Sequence, residues 1–300
     1  MNKNFNIDEF QDRRLFHELK DDTANLINDH YNKAKSWMPI DLIPFENHQN
    51  YNPKDEWDQS IYPLCEGVRS SLFVNLLTED NLPYYTNTIK AISAKDHPFN
   101  EWINRWTAEE ARHSEVIRGW VHASGALDPR MLESARMAQM TKAEVPEYDS
   151  FSEIIVYTSL QELATKVAHS NTGKFLKELG GDKVMARVAG DEVLHHSFYS
   201  NLAKVAFEIN PELMLLATAN VITSFKMPGT GIENFNQHAK AIAKEGIYDF
   251  SKFLKLVIEP TLDKWSYKEI TIETEVSENA IIKINKHLNT LQKISRRNNR

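Results

Sequence analysis

The sequence predicts an all-α fold with a four-helix core, and three observations carry that expectation. Apolar residues recur at helical spacing over most of the 300 residues. Glycine is scarce, at 10 residues, and no strand-like runs alternate with helical ones, so a parallel sheet is not expected. Two Glu-x-x-His units, Glu110 to His113 and Glu192 to His195, each follow an earlier glutamate, Glu79 and Glu162, at nearly equal distance.

Residues 8–32 read as a first helix, with Phe10, Leu15, Leu19, Leu26 and Ile27 apolar. The run from Trp37 to Pro44 must be extended or turned, because proline disfavours helix in the residue before it. Residues 66–94 read as a long helix kinked at Pro83, followed by helices over 98–124, 129–141 and 150–179. Gly180-Gly181 is a stop, with Asp182 as the cap of a helix over 182–208. Asn210-Pro211 opens another helix to 226, Met227 to Gly231 is a loop, and 234–265 is helical again. Residues 268–276 alternate like a short strand, and Ser277 caps a last amphipathic helix carrying Ile281, Ile284, Leu288, Leu291 and Ile294. The expected division is a helical domain over 1–265 and a C-terminal extension over 266–300.

Composition narrows the function classes. Hydrophobic residues at 41% and charged residues at 26% suit a chain that buries a real core. A net charge of −7 disfavours nucleic-acid binding. Cys65 is the single cysteine, which excludes disulfides and cysteine-based metal sites within one chain. No apolar run approaches the roughly 18 residues of a membrane span. The N-terminal residues lack the apolar core of a signal peptide, and a cytoplasmic protein is expected.

On a helix, residues i and i+3 share a face, so each Glu-x-x-His pair offers a carboxylate and an imidazole to one metal. The chain therefore repeats one unit, a helix with Glu followed by a helix with Glu-x-x-His. Two such units make a ferritin-like bundle with four Glu and two His facing inward, as in the di-iron and di-manganese carboxylate proteins. Two divalent ions would balance four buried carboxylates, which alone would be very unfavourable. With 26 Glu and 11 His, about one Glu-x-x-His arises by chance, and exposed helix faces are rich in Glu. The apolar settings count against a surface reading: Leu72, Leu76 and Leu77 crowd Glu79, and Ile154, Ile155, Val156 and Leu160 crowd Glu162.

The phrases Thr78 to Tyr84, Trp106 to His113, Tyr157 to Thr165 and Asp191 to His195 resemble the four ligand helices of the acyl-[acyl-carrier-protein] desaturases. The segments Trp37 to Pro44, Asn171-Thr172 and Phe207 to Pro211 extend the resemblance, which covers about residues 10–265. It implies an enzyme that places a cis double bond in a saturated acyl chain held on acyl carrier protein, or on coenzyme A. It also implies O2, two electrons from ferredoxin, two iron ions with manganese as the alternative, and a homodimer. Glu79, Glu110, His113, Glu162, Glu192 and His195 are then the metal ligands. Thr165 matches a threonine beside the metals. Trp37, His113 and Asp191 match an electron path, and Trp106 matches an aromatic packed near it. Thr88, Ile92 and Ile155 match positions of the acyl tunnel.

The chain departs from the family where basic residues often stand: Leu163 follows the third ligand, and Val193 and Leu194 lie inside the last Glu-x-x-His. Two other readings use the same scaffold, an R2-like ligand-binding di-metal oxidase and a non-catalytic ferritin-like protein binding iron or acyl chains. A ribonucleotide reductase small subunit is disfavoured, because it would carry Asp at position 79 and a tyrosine at 117, where this chain has Glu79 and Ile117.

Overall fold

The structure, a computed structural model, describes residues 4–45, 56–143, 145–177 and 180–298, and their regular elements are all helical. The chain starts with α1 (Glu9–Glu18) and α2 (Lys20–Lys33), one expected helix divided at Leu19. Asp8 caps α1 by accepting from the Gln11 amide at 2.8 Å. α3 (Glu66–Glu79) and α4 (Leu82–Ala91) are separated at Asp80 and Asn81, so the expected kink is a full break just before Pro83. α5 (Pro98–Ser124) ends at Gly125 in the left-handed conformation, and α6 (Pro129–Lys142) starts on proline after an Asp128 cap.

α7 (Phe151–Gly173) ends earlier than its periodicity suggested. The Asp12 carboxylate accepts from the Phe151 and Ser152 amides at 2.7 and 2.9 Å and so ties α1 to the first turn of α7. α8 (Gly181–Ile209) begins at Gly181, not after it. A Cβ there would stand 2.5 Å from the Trp120 ring, so only glycine lets this helix end reach α5. α9 (Pro211–Ser224) and α10 (Phe235–Lys244) follow. The long helix expected over 234–265 is broken after α10, where Gly246 adopts φ 72°. It resumes as α11 (Phe250–Phe253), which passes through a π turn at Leu254–Ile258 into α12 (Glu259–Lys264).

The C-terminal strand does not form. Residues 267–269 make a 3-10 turn and α13 (Glu275–Asn298) starts soon after. A lone strand leaves its backbone groups without partners, and no described residue offers a second strand. The cap is Thr274 rather than Ser277: its hydroxyl accepts from the Ser277 amide at 3.1 Å. Ala280, Ile284 and Leu291 of α13 are buried in the main core, where α13 packs on α9.

Helices α3, α5, α8 and α7 close a ring in which each packs on two neighbours. α3 and α7 are buried almost all round, which explains why their apolar residues follow no single stripe. The ring axis is where the inward glutamates and histidines meet.

One loop residue gives a pH prediction. His97 is buried; its Nδ1 accepts from the Phe99 amide at 3.1 Å and its Nε2 donates to the Phe16 carbonyl at 2.9 Å. Burial lowers its pKa despite the Phe16 carbonyl. The unfolded chain then takes up a proton that the folded chain resists, so stability falls as pH drops below about 6.5. Denaturant midpoints should decline over that range in the native sequence and decline less in His97→Asn, which keeps a capping acceptor but does not titrate. Parallel declines would remove His97 from the explanation.

Candidate metal centre

Glu79 ends α3, Glu110 and His113 lie one turn apart on α5, Glu162 is on α7, and Glu192 and His195 lie one turn apart on α8. All six are buried. Ligand atoms of Glu79, Glu110, His113 and Glu192 fall within 4.8 Å of one another, and so do those of Glu110, Glu162, Glu192 and His195. Glu110 and Glu192 belong to both groups. The arrangement is two overlapping sites with a shared pair of carboxylates. Around one centre, His113 Nδ1 lies 3.3 Å from Glu110 and 3.6 Å from both Glu79 and Glu192. Around the other, His195 Nδ1 lies 2.7 Å from Glu110 and 3.7 Å from Glu162.

The electrostatics call for cations. Burial opposes charge on His113, but Glu110, Asp191 and Glu79 hold its pKa well above the usual imidazole value. His195 is raised in the same way, against burial, by Glu109, Glu110 and Glu162. Burial and the neighbouring Glu110 and Glu162 carboxylates push Glu192 well up. Protons on these groups partly offset the four carboxylates. His113 Nδ1 and His195 Nδ1 nevertheless meet these carboxylates without hydrogen-bond alignment, and Glu192 Oε2 is buried without a partner. Buried polar atoms without partners are rare and costly. A donor set of carboxylates and imidazoles around such atoms fits two divalent ions of the iron or manganese type.

Each imidazole has a carboxylate behind it. His113 Nε2 faces Asp191 at 3.5 Å, and Asp191 accepts from Trp37 Nε1 at 2.8 Å and from Arg112 at 3.2 Å. Arg187 also pairs with Asp191. His113, Trp37 and Arg187 keep Asp191 below its ordinary pKa although burial works against them. His195 Nε2 donates to Glu109 at 3.0 Å, and Glu109 also pairs with His30 at 2.9 Å and Arg105 at 2.5 Å. Sequence reasoning missed Glu109 and His30. The Glu109-Glu110 doublet was a signal, since adjacent helical positions point about a quarter-turn apart and one glutamate can ligate while the next supports. His30 gave none. Glu109→Ala leaves His195 Nε2 without its partner and should weaken metal retention about 10- to 100-fold, read by chelator competition. Unchanged retention would rule out that supporting role.

The other expected positions divide into two groups. Trp106 donates to Glu162 at 3.0 Å, and Thr165 returns its hydroxyl to the Glu162 carbonyl at 3.0 Å. The Trp37 and His113 rings lie parallel with centroids 6.5 Å apart. His169 contacts Glu79 at 2.9 Å. His196 turns away, to the Ser159 carbonyl, and Asp80 pairs with Arg136. Val193 is exposed, whereas Leu163 packs against the core.

A cavity of about 580 Å³ opens beside the centre, between α3, α7, α10 and the segment from Phe225 to Pro228. Its walls include Val74, Ala164, Ala168, Phe225, Met227 and Phe253, and its inner end reaches Glu79 and Thr165. The expected tunnel residues do not border it. Ile155 is fully buried in the core, Thr88 bonds back to the Tyr84 carbonyl, and Ile92 lines a separate polar recess near Glu9 and Asp149.

The family model described as "Fatty acid desaturase" matches residues 11–300. That match includes the C-terminal stretch for which the sequence phrases offered no counterpart. The chain is 33% identical over 264 residues to a Mycobacterium tuberculosis protein named as acyl-[acyl-carrier-protein] desaturase DesA1, covering 85% of this chain and 78% of that one. It is 27% identical over 279 residues to the chloroplastic stearoyl-[acyl-carrier-protein] 9-desaturase of Gossypium hirsutum, covering 85% and 69%. The fold matches the X-ray structure of Mycobacterium tuberculosis DesA2 with a TM-score of 0.72 at 21% identity, over 89% of this chain and 99% of that one.

Proposed function

The chain belongs to the fatty acid desaturase family whose model spans residues 11–300, and we propose that it desaturates a saturated acyl chain held on acyl carrier protein, using O2 and two electrons. One observation carries the proposal. An apolar-walled cavity open to solvent ends at Glu79 and Thr165, against a buried set of four glutamates and two histidines built for two metal ions.

Glu79 with His113 and Glu162 with His195 would hold one ion each, with Glu110 and Glu192 between them. Two irons held there would supply the oxidising chemistry that an unactivated methylene requires, since it offers no acidic proton and no electrophilic atom. The protein's own residues do the rest. The cavity walls hold the acyl chain, exclude water and bring one carbon–carbon bond to Glu79. Trp106 fixes the Glu162 carboxylate by its 3.0 Å hydrogen bond. Thr165 lines both the cavity and the small space at the metal site, which supports a role for it beside the reacting oxygen. Asp191 orients His113 and links it to Trp37, over whose ring Arg112 lies at 4.7 Å. That chain of contacts is the proposed route for electrons from ferredoxin or a similar donor.

The test is direct. Iron-loaded protein is incubated with a reductase, ferredoxin and a panel of acyl carriers, and products are examined by mass spectrometry. Loss of two hydrogens with a locatable double bond is expected for acyl carrier protein substrates. Absence of any unsaturated product across carrier-bound chains, from protein shown to hold two irons, would overturn the assignment.

A further inference from the structure

Of the six expected ligands, Glu79 alone lines the cavity of about 580 Å³. It is also the last residue of α3. A carboxylate at a helix end, beside open space, has a freedom to swing that ligands packed inside the helix ring lack. Two features restrain it. α6 fixes the chain just past it, where Arg136 pairs with Asp80 at 2.8 Å and Gln139 donates to Asn81 at 3.0 Å. His169 of α7 reaches the carboxylate itself, with Nε2 2.9 Å from Glu79 Oε1. An ionised carboxylate only accepts, so Nε2 carries the proton.

The opposite side repeats this arrangement with different residues. Trp106 Nε1 donates to Glu162 Oε1 at 3.0 Å. Glu79 Oε2 lies 3.6 Å from His113 Nδ1, and Glu162 Oε2 lies 3.7 Å from His195 Nδ1. In each terminal glutamate, one oxygen meets an N–H and the other faces the histidine of its own site. His169 is fully buried, and its Nδ1 has no hydrogen-bond partner. A histidine kept for packing alone would satisfy both nitrogens, since buried polar atoms rarely go without partners. The bonding of this ring is directed to Glu79.

We propose that His169 is a positioning residue whose Nε2–H occupies Glu79 Oε1, so that Glu79 gives its metal ion one oxygen only. The inference rests on the two-metal reading of the site. Without the hold, Oε1 is free to join Oε2 on the same ion and to fill a coordination position that the held carboxylate leaves vacant. That position belongs to the ion whose ligand borders the cavity.

Cobalt(II) tests the hold without turnover, because its visible absorption weakens as donor atoms are added. Full-length native protein and the variants His169→Leu, His169→Asn and His169→Gln are each loaded with Co²⁺ and checked for two bound ions. Leucine has no N–H, and asparagine is too short to reach Glu79. Both variants should lose absorption about two-fold, since one of the two ions gains a donor. Glutamine can place an amide N–H near the position of the imidazole Nε2, and His169→Gln should keep the native spectrum. The asparagine variant carries the test where the leucine variant does not fold.

A native spectrum in folded, two-cobalt His169→Leu or His169→Asn protein would overturn the proposal. So would a His169→Gln spectrum that matches theirs, because the side chain would then matter for its shape and not for its N–H. Native protein that binds fewer than two cobalt ions would overturn the two-metal reading beneath it.

Discussion

Glu110→Ala or Glu192→Ala should release both metal ions, whereas Glu79→Ala or Glu162→Ala should release one. The difference follows from the geometry. Glu110 and Glu192 belong to both overlapping groups of ligand atoms, while Glu79 and Glu162 each belong to one. Losing a shared carboxylate removes a donor from each ion and also the charge that lets two cations sit close together. Losing a terminal one leaves the other site its full set. Metal content of purified protein reads the result as about two, one or none per chain. Activity should vanish in all four variants. Two ions retained by Glu110→Ala would sink the assignment of a shared pair. The variants should remain folded without metal, because removing one of four clustered buried carboxylates relieves repulsion in that state. A cooperative thermal transition checks this.

Ala168→Trp should abolish turnover and leave both ions in place. Ala168 lies on α7 one turn past Ala164, and both line the cavity that leads to Glu79. An indole projected into that cavity fills the path of the acyl chain, yet Ala168 contributes no atom to the metal groups. The loss should be at least about 100-fold in kcat/KM, a barrier increase of about 2.7 kcal/mol. Ala168→Val, a smaller intrusion, should raise KM with less effect on kcat. Normal turnover by a folded Ala168→Trp protein would move the substrate path elsewhere.

Much of the site was legible along the chain because helices convert spacing into direction. Glu110 with His113 and Glu192 with His195 had to share faces, and Glu79 and Glu162 sat in runs too apolar for a solvated surface. The helix boundaries at Pro98, Pro129 and Pro211 were legible for a related reason, since proline at a first helical turn is a local signal. The breaks at Leu19 and around Gly246 were not, because both depend on which neighbours each half packs against. The alternation at 268–276 misled because period-two hydrophobicity only makes a strand where another strand completes its hydrogen bonds.

The supporting residues and the cavity beside the metal centre came from the tertiary structure alone. His30 reaches Glu109 across 79 positions of sequence, and His169 reaches Glu79 across 90. No local pattern encodes such distances. The tunnel positions Thr88, Ile92 and Ile155 show the same limit from the other direction. Their faces could be numbered from the sequence, but Ile92 borders a different recess from the one that reaches Glu79, and which space a face meets depends on distant elements.

The sequence by itself determined an all-α chain with four inward glutamates and two histidines, because helical periodicity and ligand chemistry are local properties. Only the tertiary structure decided which two carboxylates are shared, which carboxylate stands behind each imidazole, and where an apolar cavity opens beside the metal centre. Those are questions of distance between elements, set by how the helices pack against one another.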